Sequence, residues 1–178
     1  MSDSPVRPYK ALVLDSGTST YMNRLMVGTA CTGLLRVEWY SHRTGLIVPC
    51  NWSQVSLQQF MSDFMPLRYQ VADAQNLIAR EAIDKDFEWL LLYEHDVLPP
   101  SDAFVRLNQY MVEEKVPLVS GLYFSRSRPA EPLIFRGRGT SYYADWKLGD
   151  RVYCDGVPTG FLLIHCAILR LMWDESPE

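Results

Sequence analysis

Phe87-Glu88-Trp89-Leu90-Leu91-Leu92-Tyr93 is a nearly continuous apolar run that halts at Glu94-His95-Asp96, shortly before Pro99-Pro100. Unbroken hydrophobicity, as opposed to alternation, is what a strand covered on both faces requires, and the central strand of a parallel sheet is such a strand. In open α/β sheets ligands collect beyond the carboxyl ends of the strands. The acidic triplet therefore stands where a site is expected.

The flanks support that reading. Upstream, Val71, Ala74, Ile78 and Ala82 recur at helical spacing, which predicts a helix over 71–85 and groups Asp73, Asn76 and Arg80 on another, polar face. Downstream, Ser101 is a candidate N-cap for a helix over 102–114, and Pro117-Leu-Val-Ser-Gly-Leu-Tyr-Phe124 reads as the next strand. Further out, the apolar run 10–14 predicts a first strand ending at Asp15-Ser16-Gly17-Thr18, a turn-forming sequence whose loop faces the ligand side. Residues 21–35 have mixed helical spacing, and 35–40 alternate as a second strand that breaks at 41–45. The stretch 125–150, rich in Arg, Gly, Pro and Tyr, reads as long loops with one or two short strands. Late strands are expected at 152–156 and 160–164, and a helix begins over 167–172. Alternating strands and helices predict an α/β fold, with an open, twisted, mostly parallel sheet flanked by helices, in one domain spanning 1–178.

Composition narrows the function classes. The chain of 178 residues is 48% hydrophobic and 21% charged, an ordinary balance for a folded domain, and its net charge of −4 argues against nucleic acid as a partner. The four cysteines, Cys31, Cys50, Cys154 and Cys166, are scattered without a Cys-x-x-Cys pair, so a zinc site has no support and reduced thiols are expected. No apolar stretch approaches the roughly 18 to 20 residues of a membrane span and no signal core opens the chain, which predicts a cytoplasmic setting.

Two carboxylates at i and i+2 on an extended segment, Glu94 and Asp96, offer hard oxygen donors suited to Mg²⁺ or Mn²⁺, which complete their shells with water and substrate phosphates. The competing reading is a polar strand end before a Pro-Pro turn. Arg80 is either a phosphate ligand or one half of an i,i+4 pair with Asp84. Arg126, Arg128, Arg136 and Arg138 are either a clamp on a diphosphate or solvated loop residues. His95 either contacts a substrate or bonds to backbone, and His165 reads as a core histidine. Asp15, Ser16 and Gly17 either touch a nucleotide or simply turn the chain. Tyr142, Tyr143 and Trp146 fall in a predicted loop where an acceptor sugar could stack.

Taken together, helix, buried strand, acidic triplet, capped helix and following strand resemble glycosyltransferases of the A-type fold (GT-A), in particular family 2 and its small phage and bacterial relatives, over most of the chain. Ala74-Gln-Asn-Leu-Ile-Ala-Arg80 looks like the helix with which that family offers Asn76 and Arg80 to the nucleotide diphosphate. Glu94-His95-Asp96 looks like its Asp-x-Asp metal motif, which implies Asp96 as the metal ligand with Glu94 beside it. Gly156-Val-Pro-Thr159-Gly160-Phe is similar to the stretch lining the sugar pocket. The resemblance implies a Rossmann-type sheet and transfer of a sugar from a UDP- or GDP-sugar donor to an acceptor hydroxyl on a glycan, a protein or another molecule, assisted by Mn²⁺ or Mg²⁺. Two departures stand out. No Asp-Asp-Gly-Ser signature follows the second strand, and the family's late acidic motif, the usual source of the catalytic base, would fall beyond Trp173. Asp174, Glu175 and the earlier Asp155 are then the candidate bases, and a C-terminally incomplete catalytic domain is the accompanying expectation. The rival functions are a non-catalytic nucleotide- and metal-binding module of the same fold, a metal-independent transferase, and a sugar-nucleotide pyrophosphorylase, whose usual Gly-rich opening loop is not matched by Asp15-Ser16-Gly17-Thr18.

Overall fold

The apolar run forms strand β3, Phe87–Tyr93, with every residue buried. A computed structural model describes residues 23–47, 61–113, 116–137 and 142–176. Four further strands join β3: β1 (Asn23–Gly28), β2 (Met61–Phe64), β4 (Leu118–Ser120) and β5 (Phe161–His165), in the order β2-β1-β3-β5-β4. β1 pairs in parallel with both β2 and β3, whereas β5 runs antiparallel to β3 and to β4. Four strands thus share one direction and β5 opposes them. β3 is central as expected, but parallel to only one of its neighbours.

Helices cover both faces: α1 (Val37–Thr44), α2 (Val71–Asp84), α3 (Ala103–Glu113) and α4 (Cys166–Asp174). Because successive strand residues point to opposite faces, each strand feeds two cores. Leu25 and Val27 of β1, Trp89, Leu91 and Tyr93 of β3, and Phe161 and Leu163 of β5 pack with Trp39 of α1 and with Phe104, Leu107 and Met111 of α3. Met26, Leu90, Leu92, Leu162 and Ile164 pack on the other face with Ile78 and Ala82 of α2 and Cys166 of α4. Each buried Val, Leu, Ile, Phe or Met side chain among them contributes about 1.5–3 kcal/mol on burial. Gly28 lets α2 approach β1 closely, since a Cβ there would lie 2.2 Å from Ile78 Cγ2.

Several expectations require correction. Residues 21–35 contain β1, not helical structure: Leu25, Met26 and Val27 are all buried, and a strand covered on both faces has no alternation to betray it. The expected strand over 35–40 is not formed: α1 begins at Val37, and of the alternating set only Trp39 enters the core while Leu35 and Val37 are 40% and 79% exposed. The strand expected over 117–124 shrinks to Leu118–Ser120, and 152–156 contributes a single bridge, Phe135 to Gly156. α3 begins after Asp102, whose carbonyl accepts the Arg106 N–H at 3.0 Å, so Asp102 takes the capping position predicted for Ser101. The helix over 71–85 and the strand over 160–164 match α2 and β5 within a residue at each end. The expected first strand, 10–14, and its loop residues Asp15, Ser16 and Gly17 lie outside the described residues, as do Cys50 and Arg138. Cys31, Cys154 and Cys166 are free thiols. No described helix is long and apolar enough to cross a membrane.

Candidate active site at the end of strand β3

Beyond Tyr93 the chain turns sharply. The Val97 N–H reaches back to the Glu94 carbonyl at 3.2 Å, so Glu94 and Asp96 sit on a tight turn and not on the extended segment the sequence suggested. The turn is pinned from three sides. The Glu94 N–H donates to the Gly160 carbonyl at 2.9 Å, the Trp39 indole N–H donates to the Glu94 carbonyl at 3.0 Å, and His95 Nδ1 lies 3.1 Å from the Ala30 carbonyl. His95 therefore takes the backbone-bonded role among its two readings, tying the acidic turn to the loop after β1.

The Glu94 side chain is oriented by a relay. Gln75 Nε2 of α2 donates to Thr159 Oγ1 at 2.8 Å, and Thr159 Oγ1 donates to Glu94 Oε1 at 3.4 Å. Opposite, the Tyr123 hydroxyl accepts the Gly160 N–H at 2.6 Å. Gly160 is required here by close approach, since a Cβ would lie 2.5 Å from that hydroxyl. Asp96 forms an ion pair with Arg126. Burial pushes the Glu94 carboxyl above the usual range, and the nearby Asp96 charge adds to the shift. Burial also raises the Tyr123 phenol, with the charges of Glu94 and Asp96 contributing. A half-buried carboxylate whose proton affinity is raised by burial and by a neighbouring carboxylate is a place where a cation is favoured.

Other predicted residues are distributed as follows. Thr159 and Gly160 join the acidic turn directly. Asn76 and Arg80 line a shallow groove with Tyr69, Asp73, Leu77 and Trp173, and Arg80 pairs with Asp84 at 3.5 Å in the i,i+4 arrangement. Asp174 and Glu175, both exposed, follow Trp173 at the end of α4, which brings them back toward the first half of α2. Asp155 accepts the Gly137 N–H at 2.6 Å in an exposed loop. Arg136 stacks on Tyr143, 5.2 Å from its ring centroid, and Trp146 packs against Phe124. Sequence reasoning overlooked Gln75, Tyr123, Trp39 and the Ala30 carbonyl. Gln75 follows Ala74, 100° around the helix from the buried stripe, a position at the edge of the core that points to the strand ends. Tyr123 and Trp39 carry no such local signal.

A divalent cation fits this donor set in one specific sense. Among the described residues no group of three or more His, Cys, Asp or Glu side chains converges on a metal position, but Mg²⁺ and Mn²⁺ sites commonly use one or two carboxylates with substrate phosphates completing the shell. Glu94 and Asp96 would supply those two, and the Asp96 charge beside Glu94 is what a cation would offset.

No protein-family model and no curated protein matches the sequence. Among solved structures, the chain is similar to the crystal structure of A197 from STIV, a viral protein, with a TM-score of 0.55 and 16% sequence identity, over 83% of this chain and 67% of that one. At that identity the likeness extends to the fold, an open α/β sheet with helices on both faces.

Proposed function

We propose that the protein is a nucleotide-sugar-dependent glycosyltransferase of GT-A type, with its donor site at the carboxyl end of β3. The observation that carries this reading is the pair Glu94 and Asp96 on a turn at that strand end, with Glu94 aimed by the Gln75–Thr159 relay. Four strands in one direction with β5 opposed support a Rossmann-type sheet of this kind, and the resemblance of 74–80, 94–96 and 156–160 to the family's motifs agrees with it.

In this reading Asp96 and Glu94 would hold Mn²⁺ or Mg²⁺, which supplies positive charge to the leaving diphosphate. The chain's own residues do the remainder. Thr159 and Gln75 keep the Glu94 carboxylate from rotating away, and Gly160, lacking a Cβ, lets the Tyr123 hydroxyl stand directly beside the acidic turn. Asn76 and Arg80 contribute hydrogen bonds and charge to the diphosphate; the exposed Arg80–Asp84 pair is weak enough to yield the guanidinium. The acceptor proton passes to a carboxylate, for which Asp155, Asp174 and Glu175 are the candidates. UDP- or GDP-sugars are the donors, and the acceptor is a glycan, a protein or another hydroxyl-bearing molecule.

Titration calorimetry with UDP, GDP and their sugar conjugates, with and without Mn²⁺ and repeated on Asp96→Ala, tests the donor site. Metal-dependent binding of one nucleotide that disappears in the variant is the expected result, and binding of none of them would remove the assignment. A second reading, a non-catalytic nucleotide- and metal-binding module, is favoured by the engagement of Asp155 with the Gly137 backbone and the exposure of Asp174 and Glu175. Release of free sugar or its transfer to an acceptor separates the two.

A further inference from the structure

We infer that Arg126 is an exchangeable latch on Asp96: its guanidinium occupies the carboxylate until a divalent cation takes its place, and is then released to the diphosphate. The inference rests on the metal reading of Glu94 and Asp96 given above.

Arg126 lies at the tip of a short excursion that leaves the sheet after β4. The base of this excursion is tied down, because the Leu133 N–H donates to the Tyr123 carbonyl at 3.0 Å and Tyr123 itself holds Gly160. The Ser125 N–H donates to the Glu131 carbonyl at 2.8 Å, which keeps the two limbs together. Arg126 is the residue that joins the tip to the acidic turn, through its pair with Asp96. The Arg126 side chain is 80% exposed and that of Asp96 32%, so water screens the pair and a cation displaces it readily. Guanidinium and metal compete for the same carboxylate oxygens. Once displaced, the guanidinium remains tethered within reach of the phosphates that complete the cation's shell, and its planar fork matches phosphate oxygens in a bidentate way.

Competition of this kind leaves a signature of opposite signs. An exposed pair is strong enough to reduce apparent cation affinity by up to roughly fivefold. Arg126→Ala should therefore bind Mn²⁺ alone up to roughly fivefold more tightly than the wild type, read by calorimetry or by the electron paramagnetic resonance of free Mn²⁺. In saturating Mn²⁺ the same variant should bind inorganic pyrophosphate more weakly. Arg128→Ala removes an equal charge from the same excursion without touching Asp96, and should leave both affinities near the wild-type values. Mn²⁺ binding that is unchanged or weaker in Arg126→Ala, or equally tightened in Arg128→Ala, would overturn the latch. Tighter Mn²⁺ binding with unchanged pyrophosphate affinity would overturn the transfer to phosphate. If wild type and Asp96→Asn bind Mn²⁺ alike, or neither binds it, the metal reading itself fails, an outcome distinguishable from failure of the latch alone.

Discussion

At the start of β3 the Glu88 carboxylate is buried against the Arg24 guanidinium, which also donates to the Met111 carbonyl at 3.2 Å; at its end, about 20 Å further along the strand, Glu94 and Asp96 stand half-buried with an exposed arginine as their cationic neighbour. At the first end the Glu88 carboxylate is almost fully buried, and its arginine also reaches the backbone of α3. His165, which pairs with Trp89 in the sheet register, is 2% exposed and caps α4 by accepting the Ala167 N–H. At the second end the carboxylates are oriented by hydrogen bonds but left reachable. A buried charge paired in this way serves the fold, and breaking the pair should destabilise the protein strongly. Charge that is aimed but open contributes little to stability, and in the proposed reading it serves a ligand.

The largest effect is expected at the closed end. Arg24→Leu leaves the Glu88 carboxylate buried without its guanidinium, and should lower unfolding free energy by about 3–5 kcal/mol in urea denaturation. A loss below about 1 kcal/mol would show that this end is wetter than its burial implies.

His165 provides the next test. Burial, with the charges of Arg24 and Arg170, lowers its pKa to about 4, against about 6.5 in an unfolded chain. The unfolded state then binds more protons between those values, so stability is fully present above about pH 6.5, falls as pH drops toward 4, and changes no further below it. The loss amounts to about 3 kcal/mol. His165→Asn keeps an acceptor for the Ala167 N–H and should lack this part of the pH dependence; an unaltered profile would assign the acid sensitivity to other groups.

Next in size is Gly160→Ala at the open end, which forces the Tyr123 hydroxyl away and should cost about 1–3 kcal/mol through overpacking. Donor binding should weaken more than stability does, measured by calorimetry and thermal unfolding on the same sample. Smallest in stability are Glu94→Gln and Asp96→Asn, which remove like-charge repulsion and should alter unfolding free energy by no more than about 1 kcal/mol while abolishing Mn²⁺-dependent nucleotide binding. A large destabilisation by either would erase the contrast between the ends.

The legible parts of the fold are those whose local pattern and final environment agree. α2 shows its buried stripe at Ala74, Ile78 and Ala82, and β3 shows seven apolar-dominated residues ending in acids, so both could be read directly. β1 and α1 were misread for one reason: the pattern that identifies an element comes from a partner that the local sequence does not contain. Met26 is buried where α2 covers its face, and Val37 lies exposed because nothing among the described residues packs on it. In the site, Glu94, Asp96, Thr159 and Gly160 were legible as motif residues, and their meeting at one strand end was not. That meeting depends on β5 running antiparallel to β3, which sets Tyr93 opposite Phe161 and so lays Gly160 against Glu94.

Composition, the apolar run 87–93 and the helical spacing of 71–85 determined by themselves an α/β chain with acids at a strand end, because hydrophobic periodicity and strand termination are local consequences of burial. Tertiary structure alone decided the strand order, the turn that presents Glu94 and Asp96, the Gln75–Thr159 relay and the Arg126 pair. These join residues up to 84 positions apart in the chain, and contacts at that separation are set by how the sheet closes, not by any local preference.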